Sequence, residues 1–406
     1  MTIYEDLKSQ LHTKGVDIID TNYYDLIDVW KSWYTGSVEN FHFYNVKYAD
    51  GSEGQVEKKT MSMAKKGAED MMKLNWSNKC DIKLATDEKT KKLWKILDSK
   101  QNNFTIMFPQ MLELSFALGT TAMTEYKDEL GRTRIEYIND ASMIIPYAYD
   151  NFNITGFIVL DQFQEVEKKT TFYYTHLTYH EFRTSKNEKD EFVQEYIKLH
   201  ELYKSKAANQ LGKQIPFEDK FPNVEEEVTY NTDTPHFQII KPPIANNIDI
   251  KTPMGLSIYA NSIDKLKAID DKYDSFDNEF IDGKRRILVD KTALKSTPQV
   301  NDDAFRTKEV YATVIKDVII DLVKSVCYLE DIELSEDEIQ VEFDYSRFEN
   351  QTATQQRLER EVDKGITSKV EYRMKVYNET EEVAREKIET IKKESPSIND
   401  LVGGEE

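Results

Sequence analysis

Cysteine is scarce in this sequence: Cys80 and Cys327 are the only two in 406 residues. They stand far apart and match no metal-ligand spacing, which excludes a disulfide-stapled scaffold and a zinc ribbon. Cytoplasmic synthesis with free, packed thiols is the expectation. No apolar run approaches the roughly 20 residues of a membrane-spanning helix, so no membrane partner is expected. The opening MTIYEDLKSQ is neither basic nor apolar enough for a signal peptide. A glycine-rich phosphate loop is missing, so nucleotide hydrolysis is not expected. The Gly-x-Ser-x-Gly elbow, His-Glu-x-x-His and the zinc-deaminase signature are missing too. Positive charge is in deficit, with 54 Lys and Arg against 74 Asp and Glu and a net charge of −20. Tight binding to a phosphate backbone depends on Lys and Arg releasing counterions, so this balance argues against a DNA-anchoring protein. Its plain consequence is solubility and mutual repulsion.

What is present is a chain long enough to bury a substantial core, in two or three subdomains. Apolar residues make up 39% and charged residues 32%, as suits a soluble protein with a large wetted or interfacial surface. A helix is expected from Asn22 to Tyr34, stopped by Gly36, and a hairpin over residues 40–58 around Asp50-Gly51. Residues 60–79 read as a second helix with Met61, Ala64, Ala68, Met71, Met72 and Leu74 on its buried side. Thr86 or Asp87 starts another, and Phe104 to Leu118 a further one, closed by Gly119. From Thr120 the period changes from helical to alternating, with strands around Tyr126, Tyr137, Phe157–Leu160, Thr171–Tyr174 and Tyr196–Leu199. Residues 204–236, punctuated by Pro216, Pro222 and Pro235, read as a surface excursion. This order of helices and then antiparallel strands is the α+β pattern.

The stretch from Thr252 to Val289 organises the rest. Thr252 is placed to cap a helix and Pro253 to occupy its first turn. Leu256, Tyr259, Ile263, Leu266, Ile269, Tyr273, Phe276 and Phe280 then recur at steps of three and four, one apolar stripe along a helix stopped near Gly283. Such a helix would run roughly 40 Å, which suits packing against copies of itself. Arg286–Val289 reads as a strand. A helix from Phe305 to Leu329, a strand from Ile339 to Phe343 and two short helices follow, the first capped by Thr367 or Ser368 with Glu371, the second preceded by Asn378. The tail from Ser395 reads as disordered.

Candidate chemistry is thin. His176 and His180 share a strand face, but no third ligand accompanies them, and strand-surface histidines are the better account. Asp270, Asp274 and Asp277 line one face of the long helix, where a solvated charged side explains them better than a divalent ion. No catalytic residue, metal site or cofactor is assigned.

Family resemblance rests on ordered pieces, each weak alone. These are Trp30–Gly36, Met63–Lys66, Phe116–Met123 with Tyr137-Ile138, and Asn246-Asn247 followed by Thr252–Ser257. Ile269-Asp270, Tyr273–Phe276, Gly283–Ile287, Val341–Asp344 and Asp363–Lys369 continue the series. In this order they resemble the portal proteins of tailed double-stranded DNA bacteriophages. The resemblance implies a structural, non-enzymatic subunit of a ring, a dodecamer, at one vertex of the capsid. Double-stranded DNA passes through the ring non-specifically, and an acidic, non-adhesive lining would permit that sliding. Implied partners are the terminase large subunit, major capsid and scaffolding proteins, and head-tail connector proteins; the implied location is the virion.

On this reading residues 1–245 form a wing, 246–304 a stem-like helix with a short clip-like strand and loop, 305–394 a tunnel-like helix and crown, and 395–406 a tail. Leu256, Ile263, Leu266, Ile269, Tyr273, Phe276 and Phe280 become the oligomer interface, and Asp270, Asp274 and Asp277 face the channel. One departure stands out: only Asp290–Ala304 lies where family members carry clip, second stem helix and tunnel loop. A portal-derived protein without packaging activity is the alternative, and a soluble metal-dependent hydrolase is the rival from another class.

Overall fold

In the computed structural model of the chain, Thr2 starts the first helix. Its hydroxyl accepts from the Glu5 N–H at 3.3 Å while the Glu5 carboxylate accepts from the Thr2 N–H at 2.7 Å. This capping box opens α1 (Ile3–Thr13). The structure describes residues 2–47, 50–76, 80–186, 190–283, 301–334, 338–343, 358–360, 362, 367–377 and 380–394. The chain divides into two units, Met1–Glu342 and Phe343–Glu406.

In the first unit, α2 (Asn22–Thr35) ends at Gly36, whose left-handed φ of 69° carries the chain out of the helix. The hairpin of β1 (Phe43–Lys47) and β2 (Glu53–Glu57) follows. Then come α3 (Met63–Asn75), β3 (Cys80–Lys83), α4 (Asp87–Leu97, capped by the Thr86 hydroxyl) and α5 (Phe104–Leu118). Helix α5 is the centre of the core. Its sequence FTIMFPQMLELSFAL is apolar nearly all round, and Phe104, Phe108, Met111, Leu112, Phe116, Ala117 and Leu118 are buried. Trp76 closes over its first turns, 4.8 Å from the Phe108 ring. One carboxylate enters this core: Glu113 accepts from the Tyr34 hydroxyl at 2.7 Å and pairs with Lys65.

Two antiparallel sheets follow. Strand β4 (Thr121–Lys127) lies between β5 (Thr133–Ile138) and β12 (Phe237–Ile240). The larger sheet has six strands: β6 (Ile144–Asp150), β7 (Asn153–Glu167), β8 (Thr170–Lys186), β9 (Phe192–Ser205), β10 (Lys213–Ile215) and β11 (Glu227–Asn231). Both β10 and β11 pair with successive parts of the β9 edge. Residues 204–236 are therefore not a surface excursion alone. Pro216 and Pro222 fall between these two short strands and Pro235 follows β11, and Leu211, Phe217 and His236 are buried. The mixed helix and antiparallel sheet agree with the α+β expectation.

Helix α6 (Ile263–Gly283) precedes α7 (Asn301–Leu329), and β13 (Gln340–Phe343) pairs with β3. Helix α7 lays Tyr311, Ile315, Ile319, Leu322, Val323 and Val326 into the core against β4 and β12. A buried polar line crosses that junction. The Ser325 hydroxyl donates to Glu125 Oε2 at 2.8 Å and lies 2.7 Å from His236 Nδ1. The Gln238 amide donates to the same Glu125 oxygen at 3.2 Å. Burial pushes the Glu125 carboxyl up to about 8, so it is predominantly neutral at pH 7.

In the second unit α8 (Lys369–Tyr377) and α9 (Glu381–Glu394) pack together. Ser368 and Glu371 form the expected capping box, with bonds of 2.9 and 3.1 Å. The expected strand Arg286–Val289, Asn378 and the tail from Ser395 lie outside the described residues.

Candidate functional site

Helix α6 begins eleven residues later than the Thr252 start that its capping signals suggest. Residues 252–259 are instead built into the core as extended and turning backbone. The Gly255 N–H donates to Thr120 Oγ1 at 2.9 Å, and the Gly255 carbonyl accepts from the Tyr23 hydroxyl at 2.7 Å. The Ile258 N–H donates to the Phe116 carbonyl at 3.0 Å, and the Tyr259 hydroxyl to the Trp30 carbonyl at 2.8 Å. The Gly255 carbonyl and the Ile258 N–H are backbone groups that a helix would have kept for itself. Two glycines make the approach possible. A Cβ on Gly119, whose φ is +84°, would stand 2.3 Å from the Gly255 carbonyl oxygen, and one on Gly255 would stand 2.1 Å from that of Gly119. The helix that follows spans 21 residues, roughly 32 Å at 1.5 Å per residue.

A short segment after the hairpin then clamps α6 along one side. Asp270 is its central tooth. Its Oδ2 accepts from His42 Nε2 at 3.1 Å and from the Thr60 hydroxyl at 2.8 Å, and its Oδ1 accepts from the Met61 N–H at 2.9 Å. The His42 tautomer follows from its other nitrogen: Nδ1 accepts from the Val38 N–H at 3.0 Å, so Nε2 carries the proton. Asp270 is 3% exposed and His42 1% exposed. Outward along the same face, Lys58 pairs with Asp271 at 2.5 Å, the Lys59 N–H donates to Asp274 at 3.0 Å, and the Lys59 ammonium pairs with Asp277. The hydrogen bond that the Lys59 ammonium donates to Asp277 holds the Lys59 pKa above its ordinary value. The Lys58 ammonium also lies 4.0 Å from the centre of the Phe41 ring.

The residues expected at a subunit interface therefore separate into two groups. Leu256 and Leu266 are buried inside the subunit, at 2% and 8% exposure, and Ile263 and Ile269 are half-buried. Tyr273 and Phe276 are 36% and 51% exposed. Phe280 lies on α6 with its side chain outside the described residues. Of the three aspartates expected to face a channel, Asp270 does not fit that role, because its carboxylate is enclosed by His42, Thr60 and Met61 of its own chain. Asp274 and Asp277 are partly exposed beside Lys59.

The histidines are corrected as well. His180 is buried and lies 2.7 Å from the Tyr196 hydroxyl, while His176 Nε2 lies 2.9 Å from His200 Nδ1. His180 is not a strand-surface histidine, since the second sheet covers it, with Phe237 6.5 Å from its ring, whereas His176 is half-buried against the rings of Phe217 and Phe221. Burial pulls His176 down to about 4 and His200 down to about 3. Among the described residues no three His, Cys, Asp or Glu side chains are grouped to hold a metal ion. Among them, too, no helix is long and apolar enough to cross a membrane.

The clamp was missed in the sequence because Lys58-Lys59 and Asp270–Asp277 lie some two hundred residues apart. The glycine pair was missed because Gly255 follows a plausible cap. Residues 16–316, well over half the chain, match the family model described as phage portal protein, SPP1 Gp6-like. The chain belongs to that family of phage portal proteins. Both the glycine contact and the clamp on α6 lie within the matched span of this portal protein. No curated protein matches the chain. The family is structural rather than enzymatic.

Proposed function

We propose that this chain is the repeating subunit of a portal-vertex ring, a dodecamer, through which double-stranded DNA enters and leaves a phage head and which joins head to tail. The observation that carries the reading is the division along α6, within the span that matches the family. The segment leading into it is anchored by the glycine contact and the helix itself by the Asp270 clamp, while Tyr273 and Phe276 remain exposed along it. A rigidly seated helix ending in exposed aromatic groups suits packing against the same helix of a neighbour. Residues 1–245 then serve as wing, 246–304 as stem and clip, and 305–394 as tunnel helix and crown. The net charge of −20 favours a lining that repels DNA rather than holding it. Major capsid and scaffolding proteins, connector proteins and the terminase large subunit are the partners.

Particle mass and rotational symmetry of the purified protein test the ring. Phe276→Asp tests the seam. This position is half-exposed in the subunit, so the variant is expected to keep its fold and shift rings to smaller species. Leu266→Asp would not separate the two, because Leu266 is already buried inside the subunit. A wild-type protein that is monomeric at every concentration would remove the ring reading. We also expect weak or absent terminase binding, because the sequence from Asp290 to the start of α7 at Asn301 is too short to hold the clip, second stem helix and tunnel loop that the resemblance implies there. A pull-down with the cognate terminase large subunit, against a full-length relative as positive control, measures it; binding equal to the control would place the docking site elsewhere.

A further inference from the structure

One face of the six-stranded sheet opens onto a cleft of about 1050 Å³, walled on the other side by β4, β5 and the loop between them. The strand register puts His176 and Thr178 of β8 beside Lys198 and His200 of β9 on this floor, with Thr178 opposite His200 and His180 opposite Lys198. The cleft has the size of a small-molecule site. Its walls are rich in rings, including Tyr126, Tyr196, Phe217 and Phe221.

The group without an explanation is Lys198. Its ammonium lies 4.4 Å from the centre of the Tyr126 ring, yet it makes no hydrogen bond or ion pair with any described residue. The other basic groups whose pairing lines the cleft are compensated: Lys127 pairs with Glu330 at 2.5 Å and Arg132 with Asp128 at 2.8 Å. Lysine stems normally carry their charge out to water, whereas burial here pulls the Lys198 pKa below the usual lysine range, against the partial opposing pull of Glu136. The neighbouring imidazoles His176 and His200 are neutral at pH 7, so Lys198 is the positive charge on the described floor, drawn on by Glu136 but held in no ion pair with a described residue.

We propose that this cleft binds a small organic acid, with a single carboxylate on the Lys198 ammonium and an aryl or branched alkyl body against the ring-lined walls. The charge match selects a monoanion. A second negative charge, as on inorganic phosphate, would meet Glu136 and Asp161 in the same cleft with no second free cation to offset it. The floor also offers the Thr178 hydroxyl, which is 3.2 Å from His200 Nδ1 and can turn its proton toward a carboxylate oxygen.

Calorimetric titration of the full-length protein with benzoate and, separately, with inorganic phosphate at neutral pH tests the proposal. Saturable benzoate binding is expected, at least about tenfold tighter than phosphate; each tenfold is a free-energy difference that one charge held in no ion pair readily supplies. Lys198→Met, which keeps the stem but not the charge, should weaken benzoate by about tenfold or more, while Lys198→Arg keeps binding within a few-fold. Lys198→Gln serves as a second neutral variant if the methionine variant does not fold. The proposal is overturned if wild-type protein shows no saturable benzoate binding at millimolar concentration, if a folded neutral variant binds as well as wild type, or if phosphate binds as tightly as benzoate.

Discussion

Asp270→Ala removes one carboxylate and strands three donors at once, which makes it the sharpest probe of how α6 is held. The donors differ in how well they can recover. The Thr60 hydroxyl can rotate, and the Met61 N–H lies beside an exposed residue, so water can reach both sites once the carboxylate is gone. His42 cannot recover: it is 1% exposed, and its Nδ1 is committed to the Val38 N–H, so Nε2–H is left buried without an acceptor. A stranded buried donor costs about 1–3 kcal/mol, and hydrogen bonds to a charged acceptor contribute about 1.5–3 kcal/mol each, so a total loss of about 3 kcal/mol is expected. Asp270→Asn is the discriminating companion. A carboxamide keeps one acceptor oxygen but turns its N–H₂ toward a donor, so it should recover only part of the loss. Urea unfolding gives the stability change, and hydrogen exchange gives its location. Faster exchange is expected along the β1–β2 hairpin and residues 263–276, with α5 unchanged. Asp277→Asn, at an exposed pair, should leave the urea midpoint unmoved. A loss below about 1 kcal/mol for Asp270→Ala, or equal tolerance of asparagine, would refute the assignment of donors made above.

Gly255→Ala forces a methyl to within 2.1 Å of the Gly119 carbonyl oxygen and is expected to cost about 3 kcal/mol or to abolish soluble expression; unchanged melting would show that the two backbones separate readily. Glu125 gives a pH dependence of definite sign. Its folded-state pKa of about 8 lies above the ordinary carboxylate value, so its protonated form contributes stability below the ordinary value, and that contribution is lost as pH rises through about 8. Stability from this group should therefore fall by about 1.4 kcal/mol per pH unit across that window. Glu125→Gln should remove that slope, read as the difference in urea midpoints between about pH 5 and pH 8, and an unchanged slope would count against a neutral Glu125.

Helix boundaries set by their own neighbours were legible in advance. Gly36 and Gly119 end α2 and α5, Thr86 caps α4, and Ser368 with Glu371 caps α8, because each signal acts within four residues. The change of period at Thr120 announced the sheets, since a strand with one buried face must alternate. The same kind of signal lay unread at Thr2 and Glu5, which start α1. The exposed half of α6 was legible only as part of a uniform stripe.

Tertiary structure decided what local signals could not. Thr252-Pro253 offers a sound helix start, yet Gly255 is held by Thr120 and Tyr23, partners 135 and 232 residues away. Bonds of that reach outweigh a cap worth about 1 kcal/mol. Asp270, Asp274 and Asp277 have the spacing of a solvated stripe, and only the hairpin's return past α6 turns the first into a buried acceptor and the last into a partner of Lys59. Strands β10 and β11 are short and polar, and they exist because β9 leaves an edge open to them. Periodicity specifies which face of an element is apolar. Which neighbour covers that face depends on chain segments hundreds of residues apart, and a hydrogen bond or an ion pair leaves no periodic trace in either of them.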